Sequence, residues 1–252
     1  MSLHVERTGS GPDLVLLHGW GLHSGVWAEV MPSLARRARV HAIDLPGHGY
    51  SADVEVRSFD AACEAVAAVV PERSLVCGWS LGGLVAQRVA HRYPDRVARL
   101  ALVSSTPCFA ERPGWRNGMK ESALATFASA LANDRDALLR RFVALNAMNG
   151  PQGREAVRVF TALLAQRGAP SDAGLAATLM WLREIDLREE TARLRVPAIV
   201  MHGGRDMIAP VGAGRWLAQH LGARLHELPQ AAHMPFFSHR EAFVTALGDL
   251  IG

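Results

Sequence analysis

The chain has 252 residues, 49% of them hydrophobic and 20% charged, with a formal net charge of +3. That composition suits a globular protein with one large core, or a core carrying an insertion. No apolar run is long enough to span a membrane, the N-terminal stretch MSLHVERTGSGPD lacks the apolar centre of a signal peptide, and there is no basic tail or nucleic-acid motif. The expectation is a cytoplasmic, monomeric protein with neither membrane nor nucleic acid as partner. The three cysteines, Cys63, Cys77 and Cys108, form no CxxC pair and sit among apolar residues, as buried free thiols do. Of 27 basic residues only Lys120 is lysine; arginine makes forked bonds to carboxylate and phosphate, so the bias hints at an acidic partner.

In chain order, strand-like apolar runs recur at Leu14–Leu17, Val40–Ile43, SLVCGWS, VARLALVSS, Ala198–Met201 and Arg224–Leu228. They are rich in Val, Leu and Ile nearly throughout, as strands buried on both faces are. Helical patterns lie between most of them, at Phe59–Val70, Leu81–Tyr93 and Gly212–His220. The alternation predicts an α/β fold, a mostly parallel sheet with helices on both faces. It breaks between Pro107 and about Glu190, where the runs KESALATFASALAND, RDALLRRFVALNAM, GREAVRVFTALLAQRG and SDAGLAATLMWLREID read as helices. Pro113-Gly114, Gly150-Pro151 and Gly168-Ala169-Pro170 punctuate them. An insertion this long between two strands predicts a helical cap over residues 107–190, flanked by core segments 1–106 and 191–252.

The stretch LVCGWSLGGL carries the chemistry. A strand enters a helix through Gly78-Trp79-Ser80-Leu81-Gly82, with glycine two residues to either side of the serine. A turn this tight strains the serine backbone and leaves no room for side chains at the flanking positions. The hydroxyl then projects above the carboxyl end of the sheet, as a nucleophile elbow does. An ordinary turn whose serine caps the helix would look similar in isolation.

A serine hydroxyl needs a base to take its proton, and the base needs a carboxylate to orient it. On this scaffold the chain order is Ser, Asp, His. Asp206 follows the strand Ala198–Met201, and His233 lies in a loop after Arg224–Leu228, so both stand at the same sheet edge as Ser80. His202 and Asp44 also lie at strand ends. His202, before Gly203-Gly204, is read as structuring its turn, and Asp44, before Leu45-Pro46-Gly47, as bonding loop amides. The oxyanion of an acyl-transfer transition state needs preorganised N–H donors. The backbone amide of Leu81 is one candidate and that of Trp20, in His18-Gly19-Trp20-Gly21, the other. With no HExxH, CxxC, phosphate loop or GxGxxG, neither a metal nor another cofactor is expected.

Taken together, LHGWG, DLPGHGYS, GWSLGGLVA, HGGRDMIAP and AAHMPFFSH resemble the α/β-hydrolase superfamily over nearly the whole chain. More narrowly, LVLLHGWGLHSGVW, SSTPCF and AAHMPFFSHREAF are similar to the BioH-type carboxylesterases of biotin synthesis, the pimeloyl-[acyl-carrier protein] methyl ester esterases. The resemblance implies hydrolysis of a methyl ester on a pimeloyl chain held by acyl carrier protein, with side activity on short-chain esters. It implies a substrate wall from a cap helix, carried over here to Phe142, Val143, Ala144, Leu145 and Asn146, with Asn146 standing where the family has Gln. It also implies that Arg141, Arg154 and Arg158 grip the acidic carrier; a further family arginine falls near Ala137, so that contact is either lost or moved to Arg135 or Arg140. The alternative is a general small-ester or C–C bond hydrolase using the same triad. Local charge points the same way independently: residues 135–167 hold six arginines against two acidic residues, and Arg154 and Arg158 share a helix face.

Overall fold

The computed structural model describes residues 2–148, 150, 152–168 and 170–252. Pro151 and Ala169, two of the helix-punctuating positions, lie outside the described residues. Seven strands form one sheet: β1 (Val5–Thr8), β2 (Asp13–Leu17), β3 (Arg39–Ile43), β4 (Ser74–Trp79), β5 (Val97–Val103), β6 (Ala198–Gly203) and β7 (Arg224–Leu228). Their order is β1-β3-β2-β4-β5-β6-β7, and every pairing is parallel except β1 with β3. The helices are α1 (Met31–Leu34), α2 (Phe59–Val69), α3 (Leu81–Arg92), α4 (Glu121–Asn133), α5 (Arg135–Ala147), α6 (Gly153–Arg167), α7 (Asp172–Glu184), α8 (Arg188–Arg193), α9 (Val211–Leu221), α10 (Pro235–Ser238) and α11 (Arg240–Ile251).

The two-residue period of the strands divides the core into two layers. Val15, Leu17, Val76, Leu100, Leu102 and Val200 face one layer, packed with α2, α3 and α9. Leu14, Leu16, Cys77, Ala101, Val103, Ile199 and Met201 face the other, with Trp27, Phe236, Phe243 and Leu247. Every residue of the central strand β4 is buried, which explains its unbroken apolar reading. The three cysteines are free and buried, as expected, and burial pushes the Cys63 and Cys77 thiols far above their ordinary pKa.

The edge strand β1 has no counterpart among the predicted strands. Its sequence is VERT, none of it fully buried, and it pairs antiparallel, so it carries no apolar run to read.

Helices α4–α7 stand in the chain between β5 and β6. Local signals set their limits. Asp134 ends α4 and caps α5, its side chain accepting from the Ala137 amide at 2.9 Å. Ser171 caps α7 through the Gly174 amide at 3.0 Å. The helices extend both core layers: Leu138, Leu139, Phe142, Leu175 and Leu179 join one, Val143, Ala147, Ala156 and Phe160 the other.

Candidate active site

Ser80 sits between β4 and α3 with φ 55° and ψ −120°, a backbone region that side chains rarely occupy. Surrounding bonds hold it there: its amide donates to Val103 O at 3.0 Å, and its carbonyl accepts from Ser105 Oγ at 2.8 Å and the Gly83 amide at 3.0 Å. The flanking glycines are sterically required. A Cβ on Gly78 would strike the Gly82 carbonyl and Gly83 Cα, and one on Gly82 would strike the carbonyl oxygens of Leu17 and His18. The elbow is therefore pressed directly against the end of β2.

Asp206 follows β6 in a turn that satisfies its carboxylate from several directions. Oδ1 accepts from the amides of Ile208 and Ala209, each at 2.9 Å. Oδ2 lies 2.7 Å from His233 Nδ1, which donates to it. Burial opposes the charge of Asp206, but the attraction and hydrogen bond of His233, the nearby His202 and the backbone bonds outweigh it, holding its pKa below the ordinary carboxylate value. The carboxylate is thus charged at neutral pH and fixes the proton of His233 on Nδ1, leaving Nε2 as the basic nitrogen.

His233 Nε2 is buried and has no hydrogen-bond partner, so it does not bond Ser80 Oγ in this structure. Such bonds are commonly loose before substrate binds. The backbone of His233 is fixed from two sides: its carbonyl accepts from Trp79 Nε1 at 2.8 Å, and its amide donates to Asn146 O at 3.3 Å. The Trp79 and His233 ring centroids are 5.6 Å apart. Trp79 precedes Ser80, so one side chain ties the serine turn to the histidine loop. Sequence reasoning noted the tryptophan without this role, because its partner lies 154 residues away.

Leu81, expected as an oxyanion donor, opens α3, where the first amides have no intrahelical acceptor. The other predicted donor, Trp20, sits in a loop that touches the elbow: a Cβ on Gly19 would lie 3.2 Å from Ser80 Cβ. Neutral histidines shape that loop. His18 Nδ1 donates to Gly19 O at 2.8 Å and its Nε2 accepts from the Leu45 amide at 2.9 Å. His48 Nδ1 donates to Pro46 O at 3.0 Å, and its Nε2 accepts from the Gly21 amide at 3.4 Å. Burial drives their pKa values down, to about 3 for His18 and about 4 for His48. Asp44 bonds loop amides as expected, but across the chain as well as locally, accepting from Ser24 N at 2.7 Å and Tyr50 N at 2.9 Å.

Of the predicted wall on α5, Phe142, Val143 and Asn146 are buried, and Leu145 is half-buried. The Phe142 ring meets Trp20 edge-on at 4.9 Å, and Trp20 Nε1 donates to Leu175 O of α7 at 3.2 Å. Asn146 Nδ2 donates to Phe142 O at 2.6 Å, leaving its Oδ1 buried without a partner. Ala144 departs from the expectation. It lies on the exposed face, because a helix turns about 100° per residue and cannot direct five consecutive side chains into one site.

Arg141, Arg154 and Arg158 are exposed, as is Arg140. Among the described residues these four make no ion pair or side-chain hydrogen bond, whereas Arg135 is engaged by Asp136 and Asp172 and Arg167 by Glu6 and Ser24.

Residues 14–246 match the model of the alpha/beta hydrolase family. The chain is 45% identical over 251 residues, covering 99% of both chains, to a protein of Nitrosomonas europaea named pimeloyl-[acyl-carrier protein] methyl ester esterase. It is 44% identical to one of the same name from Chromobacterium violaceum, covering 99% of this chain and 98% of the relative. Among solved structures, an esterase from Exiguobacterium antarcticum superposes with a TM-score of 0.89, covering 99% of this chain and 95% of that one; at 23% identity this likeness speaks for the fold alone. The chain belongs to the alpha/beta hydrolase family and, within it, to the group of the pimeloyl-[acyl-carrier protein] methyl ester esterases.

Proposed function

We propose that the protein is a serine carboxylesterase that removes the methyl group from a pimeloyl chain carried on acyl carrier protein. The observation that carries this reading is the buried Asp206–His233 pair at 2.7 Å, whose free Nε2 belongs to a loop tied by Trp79 to the strained Ser80 turn. In the proposed reaction Ser80 Oγ attacks the ester carbonyl while His233 Nε2 accepts its proton. The oxyanion is met by the amides of Leu81 and Trp20. His233 returns the proton to the departing methoxide, releasing methanol and leaving an acyl-Ser80. Water, deprotonated by the same nitrogen, then frees the carboxylic acid and restores the serine.

Residues 107–190 act as a cap in this reading. Ser80, His233 and Trp20 are each no more than 2% exposed, so the inserted helices must shift for a carrier-borne chain to reach the serine. Phe142, Val143 and Asn146 form the acyl wall, with Leu145 at its margin. The guanidinium groups of Arg140, Arg141, Arg154 and Arg158, unpaired among the described residues, suit the acidic surface of a carrier protein, and in this reading the two meet in the cytoplasm.

The test is steady-state hydrolysis of pimeloyl methyl ester on acyl carrier protein against the same ester on free pantetheine and against p-nitrophenyl butyrate. The reading expects kcat/KM on the carrier substrate to exceed that on the pantetheine ester and to fall with salt. Equal values, insensitive to salt, would favour a general small-ester hydrolase.

A further inference from the structure

His202 ends the apolar part of β6 and is completely buried. Its Nε2 donates to Ala209 O at 2.8 Å and lies 3.6 Å from Asp206 Oδ2. Nε2 faces a carbonyl and a carboxylate, so it carries the hydrogen and Nδ1 holds the lone pair. Nδ1 has no partner and faces Gly214 of α9, where an added Cβ would approach it to 2.5 Å. The titratable groups around the ring are Asp206 in its own turn, His233 beyond β7, and Glu227 on β7, itself paired with Arg215 of α9. Burial, opposed by Asp206, keeps the imidazole neutral.

A buried ring nitrogen without a partner works against folding, so an apolar side chain would serve this position better if packing were its only task. We propose that His202 is a positioning residue for the triad carboxylate, an inference that rests on the reading of Asp206 given above. Its N–H pins the carbonyl of Ala209, whose own amide holds Asp206 Oδ1 at 2.9 Å. The same nitrogen lies 3.6 Å from Oδ2, the oxygen that accepts from His233 Nδ1. Holding Ala209 fixes Oδ1, and that leaves Oδ2 directed at His233 Nδ1.

The test compares His202→Phe, His202→Gln and Asp206→Asn on p-nitrophenyl butyrate between pH 5 and pH 9, with thermal melts of each. His202→Phe keeps an aromatic ring, slightly larger than imidazole, and removes the donor. It should lower kcat roughly tenfold with KM unchanged, the worth of one lost buried hydrogen bond. The acid limb of kcat/KM should move down by about half a pH unit, because a loosely held carboxylate supports the imidazolium less. The Gln amide can still donate to Ala209 O, so His202→Gln should recover most of both effects. Unchanged kcat and acid limb in His202→Phe, or equal deficits in the Phe and Gln variants, would overturn the positioning role. If His202→Phe does not fold, His202→Asn, whose amide is too short to reach, replaces it, and equal deficits in the Asn and Gln variants would overturn the role in the same way. Near-normal turnover by Asp206→Asn would instead overturn the triad reading itself.

Discussion

The loops at the carboxyl edge of the sheet and the inserted helices above them are held in different ways. The edge loops are fixed by short bonds between neighbouring strand ends: Ser80 N to Val103 O, Asp206 Oδ1 to two amides of its own turn, and His233 O to Trp79. The inserted helices meet the core through apolar packing, two backbone bonds (Ser171 N to Gly47 O at 2.9 Å and His233 N to Asn146 O at 3.3 Å) and several side-chain anchors. Trp20 bonds Leu175 O, His23 Nε2 donates to Leu163 O at 3.0 Å, and Arg167 bridges Glu6 and Ser24 while stacking 5.4 Å from the Tyr50 ring. Backbone bonds survive side-chain drift and hold reacting groups in register; side-chain anchors can be exchanged. The proposed function thus builds the reaction into the region that tolerates little change, and substrate choice into the region that tolerates more.

The largest expected break comes at the edge. Ser80→Ala should reduce ester hydrolysis by about 10^4-fold or more with an unchanged melting temperature, since only a hydroxyl is lost. Residual turnover within tenfold of the parent would mean that the nucleophile lies elsewhere. Trp79→Phe keeps the aromatic packing against Trp27 and Phe236 but leaves the His233 carbonyl without its donor. A loss of about tenfold in kcat is expected, with KM nearly constant, because the defect is in the placement of the base. A pure KM effect would assign Trp79 to the substrate wall instead.

A charge change on the helices should act in the opposite pattern. The double variant Arg154→Glu/Arg158→Glu should lower kcat/KM on the carrier-bound substrate roughly tenfold at low salt, and leave p-nitrophenyl butyrate hydrolysis unaffected. Equal losses on both substrates would show that these arginines support the fold rather than a partner.

The smallest effect concerns the histidines that hold the Trp20 loop. His18 and His48 have folded pKa values of about 3 and about 4, below the ordinary 6.5, so the unfolded chain binds more protons between those limits. Their contribution to stability is fully present above pH 6.5 and is lost as pH falls through 6 and 5 towards 4. Melting temperature should decline over that range, and His48→Gln, which keeps an acceptor for the Gly21 amide without titrating, should decline less steeply. Parallel acid profiles for the two proteins would rule out His48 as a source of the acid sensitivity.

The division between the two regions also decides what could be read from sequence. Strands β2–β6 and the serine turn announce themselves because burial on both faces and the steric need for Gly78 and Gly82 leave few alternative residues, whereas β7, a half-buried edge strand, is marked only by its short run RLHEL. Asp206 and His233 follow from chain order and strand ends. β1 stays silent because a half-exposed antiparallel edge of four residues needs no apolar run. The five consecutive wall positions on α5 were legible as a helix, but resemblance carried them over as a block, and helical geometry turns Ala144 outward. The Trp79–His233 and His202–Ala209–Asp206 contacts depend on how loops meet in space, and no local spacing encodes that.

The most direct measurement of the central claim is rapid-quench mass spectrometry of the protein mixed with a p-nitrophenyl ester, followed by peptide mapping. A serine nucleophile activated by His233 predicts one acyl group on the peptide containing Ser80 in the parent protein, and no acylation of that peptide in Ser80→Ala or His233→Ala within the same quench time. Turnover with no acylated Ser80 peptide, or equally fast acylation of that serine in the absence of the His233 imidazole, would contradict it.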